Sequence, residues 1–114
     1  MVLNADDTDF AADLFRVGAA KLLRRKAGEL TCRHAHDASG RLKMRFGGLE
    51  VPEEAVVSVM IDGELVCEVL VHDGRGEFEM RSRRGDHLPD LAAGQVIEIH
   101  FEKQALLRGT VRSE

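Results

Sequence analysis

Between Val56 and Phe101 apolar and polar residues alternate, and turn residues, Asp62-Gly63 and then Asp73-Gly74-Arg75-Gly76, separate the alternating runs. A period of two puts successive side chains on opposite faces of an extended backbone, so each run reads as a strand with one face on a core. Asp-Gly between two such runs is a tight hairpin connection. The pattern therefore predicts a mainly β chain: an antiparallel β-sandwich or small barrel of six to eight strands. At 114 residues the chain reads as a single β domain over 1–114, with 1–8 a flexible N-terminus.

Period two extends upstream. Leu30, Cys32, His34 and His36 share one parity, and Leu42, Met44 and Phe46 follow after Ala38-Ser39-Gly40. A three-residue loop ending in Gly40 predicts a hairpin with His36 opposite Leu42, His34 opposite Met44 and Cys32 opposite Phe46. For the Ala55–Ile61 and Leu65–Val71 runs two registers stay open. A two-residue turn at Asp62-Gly63 sets Val57 opposite Glu68, whereas the apolar pattern sets Val57 opposite Val69 and Val59 opposite Cys67. Further on, Phe78 and Met80 are expected to face inward, Leu88 and Leu91 to tuck a long connection onto the core, and Ile97, Ile99 and Phe101 to form the next inward row.

The segment Thr8 to Ala27 admits two readings. Asp6, Asp7 and Asp9 at its start, Lys21, Arg24, Arg25 and Lys26 at its end and Gly28 beyond fit the helix dipole and a glycine cap. We read a helix over at least part of it, with an edge strand at Phe10–Val17 as the alternative.

Composition narrows the function classes. A net charge of −4 provides no global field for nucleic acid or an anionic membrane, and no membrane insertion is expected, because no apolar run reaches the ~20 residues a span needs. With no Trp, no Tyr and five Phe, base-stacking and sugar-stacking platforms are disfavoured. Two cysteines, Cys32 and Cys67, allow at most one bridge, and the acidic start Met1-Val2-Leu3-Asn4-Ala5-Asp6-Asp7 does not read as a signal peptide. The expected setting is the cytoplasm, with reduced thiols.

Three constellations could hold chemistry. Cys32-x-His34-x-His36 sets three metal-ligand types on one strand face, so a metal ion held by Cys32, His34 and His36 is one candidate. The loop residues Asp86 and His87, with Asp90, form a second, an acid–base site of a small enzyme. The basic clusters Arg24-Arg25-Lys26 and Arg81-Ser82-Arg83-Arg84 form the third, and Arg84-Gly85-Asp86 spells an integrin-recognition tripeptide. No glycine elbow surrounds Ser39, Ser58 or Ser82, and neither glycine-rich turn matches a nucleotide fingerprint. With no catalytic residue and no cofactor assigned, the leading expectation is a non-enzymatic interaction or assembly module. It would bind a protein partner or a second copy of itself, as a homodimer, through a sheet edge or exposed face.

Four stretches carry a resemblance. Phe10-Ala11-Ala12-Asp13-Leu14, Ala27-Gly28-Glu29-Leu30, Leu42 to Leu49 ending in Gly47-Gly48-Leu49, and Leu107-Arg108-Gly109-Thr110-Val111 together resemble bacterial all-β domains of chordin-like type. Val51-Pro52 through Asp62-Gly63, Asp73 to Glu77 and Leu91 to Gln95 are similar to other bacterial β domains. Where chordin-like domains have Ala-His-Ile-His, this chain has Val59-Met60-Ile61-Asp62. The resemblance implies an all-β sandwich, a strand rather than a helix near Phe10, and no known enzymatic activity.

Overall fold

Antiparallel pairing organises the whole computed structural model, which describes residues 8–18, 25–34 and 40–114. Nine strands follow in chain order: β1 (Thr8–Arg16), β2 (Lys26–His34), β3 (Gly40–Phe46), β4 (Val56–Ile61), β5 (Glu64–Leu70), β6 (Gly76–Arg81), β7 (Val96–Phe101), β8 (Gln104–Thr110) and β9 (Arg112–Ser113). Eight of them form one path, β5-β4-β7-β8-β1-β2-β3-β6, and β9 pairs with β1. The ends of that path, β5 and β6, are joined by the Asp73-Gly74 turn, where His72 and Arg75 form a bridge, and are not otherwise paired, so the sheet curls into a nearly closed barrel with one seam. Among the described residues there is no α-helix, only a single 3-10 turn at Ser82–Arg84.

The helical reading of the N-terminal stretch is corrected over its described part. Thr8–Arg16 is a strand, as the resemblance implied, but it is not at an edge. It pairs with β2 along nearly its whole length, and on its other side with β8 at Phe15 and Arg16 and with β9 at Phe10 and Ala11. Ala11, Ala12 and Leu14 are all buried, which is why the run lacks a clean polar alternation. Residues 19–24 lie outside the described part.

The β2–β3 hairpin has the expected parity but a different register. Cys32 faces Leu42, Leu30 faces Met44 and Gly28 faces Phe46. Every pairing that keeps parity buries the same set, so the apolar pattern alone does not choose between them. Steric fit does. Phe46 lies between Gly28 and Gly76 on the two flanking strands, and a Cβ at either would stand within 2.8 Å of Phe46 atoms. Only glycine leaves room for the ring there.

Both registers considered for β4 and β5 occur, in different parts of the same hairpin. Next to the turn Met60 pairs with Leu65 and Ile61 with Glu64, which a two-residue turn at Asp62-Gly63 demands. Beyond a bulge Val59 pairs with Cys67 and Val57 with Val69, which the apolar pattern demands. Asp62 and Gly63 have φ of 49° and 82°, the positive pair that a right-twisted hairpin needs. The inward rows make one core in which Leu14, Leu30, Leu42, Met44, Val57, Val59, Ile97, Ile99 and Leu107 are all at most 1% exposed. Phe78, Met80, Leu88 and Leu91 pack against it as expected.

Candidate functional site

Outward-facing rows differ sharply around the barrel. Residues directly opposite one another in an antiparallel pair share a face. On the outer face of β2, β3 and β6, Glu29 meets Lys26 at 2.8 Å and Arg45 at 2.6 Å, and these two cations hold its carboxyl below the usual range. Glu79 likewise meets Arg81 and, at 3.0 Å, Arg41, with the same effect. On β7 and β8, Arg108 at 2.6 Å and His100 at 3.2 Å flank Glu98, and the Arg108 guanidinium is the larger cause of its lowered pKa. In each row the carboxylate is paired with an arginine or lysine side chain.

The outer face of the β4–β5 hairpin is built otherwise. Val56 lies opposite Leu70, Ser58 opposite Glu68 and Met60 opposite Leu65. Val56 is 48%, Leu70 49% and Leu65 57% exposed, and Val17 is the one other large apolar residue so exposed among the described residues. Glu68, between the two leucines, meets no cation among the described residues. β5 is also the end of the sheet path, so the backbone groups on its outer margin are paired to no strand, and β6 faces them across the seam. Leu70 continues this surface into a cleft of about 790 Å³ beside the seam, where Lys26, Phe46, Gly47, Arg75 and Glu77 form the remaining walls.

The residues singled out from sequence fall elsewhere. Cys32 points into the core, 3% exposed and opposite Leu42 and Phe10, and burial, with a lesser contribution from Asp9, pushes its thiol up to about 11. His34 pairs with Gly40 on the backbone, but its side chain lies outside the described residues, as does His36 altogether. Among the described residues no three His, Cys, Asp or Glu side chains converge on one point. Cys67 is a separate thiol, also pushed up to about 11 by partial burial.

Asp86 is committed to holding its loop. One carboxylate oxygen accepts the Arg81 amide at 2.9 Å and the Arg84 guanidinium at 2.9 and 2.7 Å, and the amide bond is the first cause of its lowered pKa. A carboxylate tied down this way is a poor general base, and His87 beside it is exposed. The same contact folds the Arg84-Gly85-Asp86 tripeptide onto itself. The basic clusters are largely occupied as well: Lys26 by Glu29 and Asp13, Arg81 by Glu79, Arg84 by Asp86.

One row escaped the sequence reading because it depends on the non-sequential pairing of β4 with β7. Ser58 lies opposite His100, whose Nε2 is 3.2 Å from Glu98. A serine, a histidine and an acid thus adjoin on the outer face. Among the described residues, however, Ser58 makes no hydrogen bond to His100, and no cleft opens at the row. Leu65, Leu70, Val56 and Glu68 were missed for a related reason. Their strands were recognised, but strand order, which leaves β5 at the margin, is not written in local alternation.

No known family model matches the chain, and no curated protein is similar to it at a meaningful level, so its geometry supplies the functional reading.

Proposed function

We propose that this protein is a non-enzymatic interaction module that associates with protein surfaces, another copy of itself among them, through the β4–β5 hairpin. One observation carries the reading: Val56, Leu65 and Leu70 stand about half exposed on one face of a marginal hairpin, while the carboxylates facing outward on other strands at Glu29, Glu79 and Glu98 are ion-paired. Apolar side chains grouped at a sheet margin mark contact surfaces more often than isolated ones do. A partner that covers them recovers only the half of the hydrophobic transfer term still outstanding, on the order of 1 kcal/mol for each leucine or valine.

Sedimentation equilibrium tests the self-association form directly. As concentration rises from micromolar to millimolar, the apparent mass of the wild type should climb from 12.6 kDa towards twice that, and a Leu65→Lys, Leu70→Lys double variant should stay at the monomer mass. A wild type that remains monomeric throughout, or a double variant that associates equally well, overturns it.

A further inference from the structure

The hairpins β4–β5 and β7–β8 are two copies of one structural unit. Shifting residue numbers by forty superposes their features: Asp62-Gly63 on Glu102-Lys103, Val59 on Ile99, Val69 on Gly109. Both turns place two residues at positive φ, 49° and 82° in the first and 50° and 68° in the second. Both have a bulge at the same step, between Val59 and Met60 and between Ile99 and His100. They differ in what lies beside the second strand. β8 has β1 along its margin, with Phe15 opposite Arg108 and Arg16 opposite Leu107. The corresponding positions on β5 are Glu68 and Cys67, and no strand is paired there.

We infer that the unpaired margin of β5 is a strand-receiving site, and that its ligand is an extended segment of a partner protein that carries, on one face, a basic residue with an apolar residue two positions to either side. The backbone argument comes from the internal comparison, because the same unit binds a strand at the equivalent margin within this molecule. The side-chain argument comes from charge. Glu68 shares the outer face with Leu65 and Leu70, and has no cation among the described residues, whereas its counterpart Arg108 is paired with Glu98. An incoming strand that sets a lysine or arginine beside Glu68 and apolar residues beside Leu65 and Leu70 satisfies all three. The inference rests on the reading of β4–β5 as the contact region, but it uses the strand margin rather than the apolar face.

The test uses the full chain and a capped ten-residue peptide with valine and lysine alternating along one face and threonine filling the other (valine-threonine-lysine-threonine, repeated), with a second copy N-methylated at every central residue. Amide exchange across residues 65–69 should slow about tenfold or more when the unmethylated peptide saturates. The methylated copy, equally charged but unable to form a ladder, should leave exchange unchanged. Glu68→Lys should weaken the lysine peptide about fivefold, as expected for one exposed charge pair, and should favour a glutamate–valine peptide instead. Unchanged exchange at saturating peptide, or equal slowing by the methylated copy, overturns the inference. If that happens while Leu65 and Leu70 still govern self-association, the strand-margin site alone falls and the contact face stands.

Discussion

The hairpins β4–β5 and β7–β8 share turn, bulge and inward rows, yet they meet their surroundings in opposite ways. On β7–β8 the outer positions are Glu98, His100, Ala105, Arg108 and Thr110, with Glu98 ion-paired to Arg108 and 3.2 Å from His100, and β1 pairs along the margin at Leu107 and Arg108. On β4–β5 the matching positions are Ser58, Met60, Leu65, Glu68 and Leu70, with apolar groups exposed and the margin bare. Inward residues and turn geometry build the unit, while outer residues and the neighbouring strand decide whether it is finished within the chain. On the reading proposed above, the finished hairpin is structural and the unfinished one is where a partner adds.

The most forceful way to break this comparison is to excavate the same inward position in each hairpin. Leu107 is fully buried under β1, whereas its counterpart Cys67 is only partly covered. Leu107→Ala should lower unfolding free energy by about 3 kcal/mol, from lost transfer energy and a residual cavity. Cys67→Ala should cost less than about 1 kcal/mol, because less is removed and its site can collapse. Urea denaturation read by circular dichroism measures both. Equal losses would mean that the β5 margin is as well packed as that of β8, and the contrast would be gone.

How far the contrast was legible in the sequence depends on the range of the interactions involved. Alternation placed Ile97, Ile99, Val57 and Val59 inward, because facing is a property of one strand. Register in β2–β3 was not recoverable, since pairing Cys32 with Leu42 or with Phe46 buries the same side chains, and only the packing of Phe46 between Gly28 and Gly76 separates them. At the N-terminus Phe10, Leu14 and Val17 fit a helical spacing while Phe10, Ala12 and Leu14 fit a strand, and flanking charges favoured the helix. Pairing on both sides of β1, which is tertiary, decided for the strand. The candidate site was hidden for the same reason. Leu65 and Leu70 look like ordinary strand residues until the strand order shows that β5 ends the paired path. The Cys32, His34 and His36 row, by contrast, was conspicuous in sequence because three ligand types in period two are a local pattern; the fold buries its first member.

A subtler test concerns the ion pair that finishes the β7–β8 face. The Arg108 guanidinium, and secondarily His100, hold the Glu98 carboxyl below its ordinary 4.5. A carboxylate depressed in the folded state adds stability that is fully present above 4.5 and is lost as pH falls through the folded value. Arg108→Gln should therefore cost about 0.5–1 kcal/mol at neutral pH, the range for a pair at the surface, and the variant and wild type should converge as pH drops well below 4.5. Thermal denaturation at a series of pH values reads this out. A gap that persists at low pH would show that Arg108 acts through its packing over the sheet rather than through Glu98.

The smallest effect on stability is expected where the effect on association is greatest. Replacing Leu65 by alanine and Leu70 by threonine gives β5 the outer residues that β8 has at Ala105 and Thr110. Both leucines are about half exposed, so the folded state loses little: the change in unfolding free energy should stay within about 0.5 kcal/mol. Association measured by sedimentation should nevertheless be abolished, because the two largest apolar contacts on that face are gone. A double variant that unfolds much more readily would show that the leucines support the barrel itself, and their exposure would then have nothing to do with a partner. A variant of unchanged stability that no longer associates would separate folding from binding within one pair of equivalent hairpins, with β7–β8 as the internal control.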